Sequence, residues 1–106
     1  MEEKFKEITS KKFGFREDFD WETRFDLKTQ VGDYEVSTVD LGINHQFIDG
    51  LPPLYYETMI FLKGNDLEEE NIFVDYQVRY STEKEARKGH EDAVNYVNKK
   101  IKETKE

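Results

Sequence analysis

Two histidines and one carboxylate are the residues of this chain whose types could do chemistry together. His45 and His90 are its only histidines, and Glu57 interrupts an otherwise apolar run, LYYETMIFL. Two neutral imidazoles and a carboxylate are ordinary ligands for zinc or iron, and a metal-bound water among them would serve a hydrolase. The spacing matches no metal motif, so the centre depends on the fold bringing the three together. Each also has a plainer reading. His90 falls on the inner face of a predicted helix, where it can bond a strand carbonyl or a tyrosine hydroxyl. His45 falls in a long loop that it can help to order. A buried Glu57 is costly without a partner, and Arg79 on a neighbouring strand is the expected one. A Glu57 carboxyl held protonated near His45 is the general-acid alternative. Ser37 and Thr38 lack a G-x-S-x-G or other nucleophile context. No catalytic residue, bound metal or cofactor is therefore assigned.

The positioning elements follow from hydrophobic periodicity. Trp21, Thr23, Phe25 and Leu27 alternate with charged residues, the pattern of a half-buried strand. Gly32-Asp33 predicts a turn into a second strand over Tyr34 to Leu41. Gly42 to Pro53 is the long irregular element, its exit stiffened by Pro52-Pro53. Leu54 to Leu62 reads as a third strand. Ile72, Val74, Tyr76, Val78 and Tyr80 form the expected inward set of a fourth, with Phe73, Asp75, Gln77 and Arg79 turned the other way.

Thr82-Glu83-Lys84-Glu85 then matches a capping box. Ala86, His90, Ala93, Val97 and Ile101 recur at helical spacing, widened by Val94 and Tyr96. Gly89 within that helix costs about 1 kcal/mol relative to Ala. It predicts a close approach of helix to sheet beneath Tyr56 or Tyr76. The fold class is α+β: about four mostly antiparallel strands with a C-terminal helix packed on one face. Residues 1–20 form an N-terminal arm or a short helix over Glu2 to Lys12, and 21–104 a single compact domain.

Composition narrows the function classes. The formal net charge of -8 opposes phosphate-backbone binding and electrostatic attachment to anionic membranes. There is no cysteine, which removes disulfides and thiolate chemistry. No apolar run reaches transmembrane length, and the expected location is the cytoplasm. Charged residues are 38% of the chain, a level that invites disorder, but a 14% aromatic share supplies core material for one small domain.

Several of these segments carry a resemblance. Val36-Ser37-Thr38-Val39 with Leu41, then His45, Glu57-Thr58-Met59 with Phe61, and Arg79-Tyr80, Thr82, Glu85-Ala86 and Gly89-His90 resemble a small, largely uncharacterised family. Its members occur in Firmicutes and in their phages and mobile elements. The likeness covers about two thirds of the chain and leaves the first twenty residues largely outside. Other members often carry a Gly-rich segment after the His, where this chain has Gln46-Phe47-Ile48-Asp49-Gly50. The resemblance implies a phage or prophage setting and brings no activity with it.

The favoured reading is a non-enzymatic interaction or accessory protein with a protein partner. Phe47, Asp49, Glu68, Glu69 and Glu70 are its candidate surface, and a sheet edge is a route to a homodimer. Two rivals remain. One is a metal-assisted, hydrolase-like enzyme using His45, Glu57 and His90. The other is an acidic nucleic-acid mimic acting as an inhibitor, in which Glu17, Asp18 and Asp20 join Glu68-Glu69-Glu70 in one continuous negative face.

Overall fold

The computed structural model describes residues 14–64 and 70–105. Four strands, β1 (Asp26–Val31), β2 (Tyr34–Asp40), β3 (Tyr56–Leu62) and β4 (Gln77–Tyr80), form one antiparallel sheet in sequence order. One long helix, α1 (Glu83–Lys105), follows and packs across one face of the sheet. The α+β architecture expected from the sequence is the one observed. The predicted short helix over Glu2 to Lys12 lies outside the described residues.

Register decides which side chains meet the helix, because residues opposite one another share a face. Thr29, Val36 and Ile60 align across three strands, and Leu27, Thr38, Thr58 and Val78 across all four. The helix offers these rows small residues: Ala86, Ala93 and Val97 are completely buried. The core is Val31, Tyr34, Val36, Ile60, Phe73, Ala93 and Val97, extended by Leu62, Tyr76, Val94 and Ile101. The expected inner stripe of the helix is thus observed.

The helix starts as its sequence predicts. Thr82 Oγ1 accepts the Glu85 backbone N–H at 3.2 Å, and the Thr82 hydroxyl donates to Glu85 Oε1 at 3.0 Å. That reciprocal bond replaces the side chain-to-cap amide contact of a full capping box. At Gly89 the helix backbone lies close against the sheet. A Cβ there would sit 2.1 Å from the Tyr80 hydroxyl oxygen, so the covering residue is Tyr80 rather than Tyr56 or Tyr76.

Two strand expectations need correction. Residues 21–24 form turns and a bend, so β1 begins at Asp26, and Trp21 is 59% exposed. Phe15, Phe19 and Trp21 instead make a small aromatic cluster of their own. The expected long fourth strand contracts to Gln77–Tyr80, because residues 72–75 are turns. The burial parity reverses with it. Phe73 is buried at 4%, whereas Ile72 and Val74 are 61% and 67% exposed.

Asn71 explains the reversal. Its carboxamide oxygen accepts the Phe73 N–H at 2.8 Å, and its Nδ2 donates to the Ile60 carbonyl at 3.0 Å. The side chain takes the place of a fourth-strand partner that β3 lacks at that point. Phe73 is turned into the core, edge-on to Tyr34 and Tyr96.

Candidate functional site

The three residues of the sequence-derived metal hypothesis do not assemble. Glu57 and Thr58 are consecutive in β3, so their side chains leave opposite faces of the sheet. Thr58 is on the helix side with His90, which leaves Glu57 on the other side. There Glu57 receives Arg79 Nε at 2.9 Å and Gln77 Nε2 at 2.8 Å. The pairing expected with Arg79 is therefore made. His45 is half-buried in the loop, its backbone N–H donating to the Leu54 carbonyl at 2.8 Å. Among the described residues no group of three His, Asp or Glu side chains is placed to hold a metal ion.

His90 belongs to a buried chain of hydroxyls. Tyr80 donates to Thr58 Oγ1 at 3.1 Å, and Thr58 lies 2.6 Å from Thr38. Thr38 lies 2.7 Å from His90 Nδ1, and His90 Nε2 lies 2.8 Å from Thr29 Oγ1. With Tyr80 donating, a one-way order satisfies every member: Thr58 donates to Thr38, Thr38 to Nδ1, and the ring N–H on Nε2 to Thr29. Burial, and secondarily the Lys28 charge, lower the His90 pKa from its ordinary value. The neutral ring that this chain of bonds requires is thereby favoured.

A hydroxyl 2.7 Å from an imidazole is also half of a nucleophile–base pair. Thr38 has no exposed surface, so no substrate reaches it. The chain of bonds links α1 to a member of each of the four strands and gives His90 a structural role, with threonine partners in place of the expected carbonyl or tyrosine.

The region that remains is the Gly42–Pro53 loop, which its own side chains brace. Asn44 Oδ1 accepts two backbone N–H groups, from Gln46 at 2.8 Å and from Leu54 at 2.9 Å, closing the base. Gln46 bridges the interior: its Oε1 accepts the Ile48 N–H at 3.1 Å, and its Nε2 donates to the Pro52 carbonyl at 3.3 Å. The Leu51 N–H donates to the Ile48 carbonyl at 3.4 Å. Two polar side chains thus supply the backbone partners that a sheet would otherwise provide.

Below the loop lies an anchor that sequence reasoning missed. Asp40, 4% exposed at the end of β2, receives both terminal nitrogens of Arg16 and the Gly42 N–H. Arg16 also bonds Asp18, and its guanidinium lies 4.8 Å from the centre of the Tyr55 ring. The Asp40 hydrogen bond, together with that from Asp18, pushes the Arg16 pKa further up against the cost of burial. The Arg16 N–H donates to the Gly42 carbonyl, and the Phe15 and Ile43 backbones form a bridge. Gly42 adopts φ +73°, and a Cβ there would lie 2.6 Å from the Phe19 ring. The segment before β1 therefore clamps the first turn of the loop.

The loop carries an apolar tip on this frame. Phe47 is 87% exposed, Ile48 61% and Leu51 50%. Asp49, also exposed, is the only Asp or Glu between Leu41 and Leu54. Of the other candidate surface residues, Glu70 is exposed, while Glu68 and Glu69 lie outside the described residues. Phe47 and Asp49 are candidates in the sequence; Ile48 and Leu51 join them in the structure. The signal for them was an apolar cluster enclosed between Gly42 and Pro52-Pro53. No family model, curated protein or solved structure matches the chain.

Proposed function

We propose that this chain is a small, non-enzymatic interaction protein that docks on a partner protein through the tip of the Gly42–Pro53 loop. The observation that carries the reading is the exposure of Phe47, Ile48 and Leu51 on a loop whose backbone is held by Asn44, Gln46 and Asp40. Apolar side chains grouped at a polar-rimmed position are the composition of a binding site. An ordered loop offers them at low entropic cost, because little motion remains to be lost on binding.

Other features support this reading over its rivals. The buried Thr38–His90 pair and the separation of Glu57 from His90 speak against a metal-assisted hydrolase. The acidic groups alternate with cations, as in Asp18–Arg16, Asp26–Lys28, Glu35–Lys63 and Asp92–Lys88. That interleaving speaks against a nucleic-acid mimic. The phage or prophage setting and a cytoplasmic site of action rest on the family resemblance and on the lack of cysteine.

The test compares affinity capture by the native chain and by Phe47→Ser/Leu51→Ser, two changes that touch only exposed side chains. A protein retained by the first and lost by the second is then purified and titrated directly. The double variant is expected to bind at least about tenfold more weakly with an unchanged melting temperature, since aromatic anchors dominate interfaces of this kind. Equal binding by both chains would remove the loop from the function.

A further inference from the structure

We infer that the outer edge of β1, unpaired among the described residues, pairs with β1 of a second copy, in one antiparallel register, to join two sheets into one. The edge is identified by its hydrogen bonds. The Asp40 N–H donates to the Phe25 carbonyl at 2.9 Å, which makes Phe25 and Asp40 a hydrogen-bonded pair. By the period of two, Leu27, Thr29 and Val31 also turn their backbone groups toward β2. The N–H and C=O groups of Asp26, Lys28 and Gln30 therefore point away from the sheet. No described residue pairs with them through its backbone, and all three side chains are exposed.

Charge selects the occupant and the register. In an antiparallel pairing of this edge with itself, only the outward residues form hydrogen-bonded pairs. A pairing centred on Asp26 sets two carboxylates against each other, and one centred on Lys28 sets two ammonium groups against each other. Like charges directly opposite are unfavourable. Centring on Leu27 places Asp26 opposite Lys28 of the second copy, twice, around a twofold axis. That register makes about four backbone hydrogen bonds and brings the two half-buried Leu27 side chains together on the helix face.

Lys28 already pairs with Asp26 of its own strand, at 2.5 Å. The charges therefore choose the register, while backbone bonds and the Leu27 contact hold the pair. Lysine on an edge strand normally discourages pairing. Here it favours the twofold register that sets Asp26 against Lys28 over those that oppose like charges. An edge this short buries little area, so association is weak. This inference is independent of the loop, and a monomer would leave the loop reading intact.

The experiment is disulfide trapping joined to sedimentation. The native chain has no cysteine, so a single introduced thiol reports without ambiguity. Under mild oxidation Leu27→Cys is expected to form a covalent dimer, since directly opposed non-hydrogen-bonded positions meet disulfide geometry. The more exposed Gln30→Cys is expected to remain monomeric. In sedimentation at high protein concentration, Asp26→Lys should weaken association at least about tenfold. The double exchange Asp26→Lys/Lys28→Asp should restore it. A native chain that stays monomeric throughout would overturn the inference and leave the edge to a strand from another protein. Trapping at Gln30→Cys equal to that at Leu27→Cys, or no recovery in the double exchange, would overturn it as well.

Discussion

Replacing Gly89 by Ala should destabilise this protein, against the usual behaviour of a helix interior. In an unobstructed helix the change gains about 1 kcal/mol through propensity alone. Here the new methyl would lie 2.1 Å from the Tyr80 oxygen and 2.2 Å from its Cζ. Tyr80 must move, and its hydrogen bond to Thr58 is lost with the movement. Overpacking of this kind costs about 1–3 kcal/mol and the lost bond about 1 kcal/mol. After the propensity gain is subtracted, a net loss of about 1–3 kcal/mol remains. Thermal unfolding followed by circular dichroism reads it directly, since each kcal/mol lowers the melting temperature of a domain this size by roughly 4–8 °C. The decisive arm is the double-mutant cycle. In a Tyr80→Ala background the ring is gone, and Gly89→Ala should become stabilising by up to about 1 kcal/mol. A Gly89→Ala variant that melts higher than the native chain would refute the reasoning. So would a substitution effect that is the same in both backgrounds.

Three further outcomes are expected. Because the His90 pKa is lowered in the folded protein, the unfolded chain binds more protons as pH falls below about 6.5. Stability should be complete above that value and decline below it, by at most about 1.4 kcal/mol per pH unit. Urea midpoints between about pH 5.5 and 7.5 check this, and His90→Gln should flatten the His90 contribution to the slope. Gly42→Ala should cost about 2 kcal/mol or more, because the site combines a positive φ with the Phe19 ring; chemical denaturation measures it, and a neutral effect would mean that Phe19 yields freely. Thr82→Ala should cost about 1 kcal/mol through loss of the cap, seen as faster amide exchange at Glu85 and a lower melting temperature.

The sheet and helix were legible because their signals are local. The Gly32-Asp33 turn, the Thr82 cap and the three- and four-residue spacing from Ala86 to Ile101 each lie within one element. The stretch from Ile72 to Tyr76 misled for a physical reason. Alternation of apolar and polar residues fits a strand, but here successive turns follow Asn71 and place Phe73, not Ile72 or Val74, inside. Only the long-range bond from Asn71 to Ile60 decides between the two, and no spacing rule records it. Trp21 and Thr23 continued the parity of β1 in the same way without being part of it.

The loop could be located between Gly42 and Pro53, yet the bonds that hold it could not be foreseen. Its anchor depends on Asp40 meeting Arg16, twenty-four positions earlier in the chain. The Glu57–Arg79 pair was legible because both residues sat in strands expected to be neighbours. The His90 partners were harder. Threonines on two strands reach the ring only once the register sets Thr29 one step along the sheet from Thr38.

The order of elements also has a consequence for the chain as it is made. All four strands precede the helix that covers them, and each strand pairs with its sequence neighbour. Each strand can therefore pair with its predecessor before the helix is in place. Until Ala86, Ala93 and Val97 arrive, Val36 and Ile60 face water, and the threonines that bind His90 have hydration in its place. Emerging chains thus pass through an interval in which an exposed apolar sheet awaits its cover. Aggregation of this protein in the cell should follow the time between pairing of the strands and docking of residues 83–105 more closely than the stability of the finished fold.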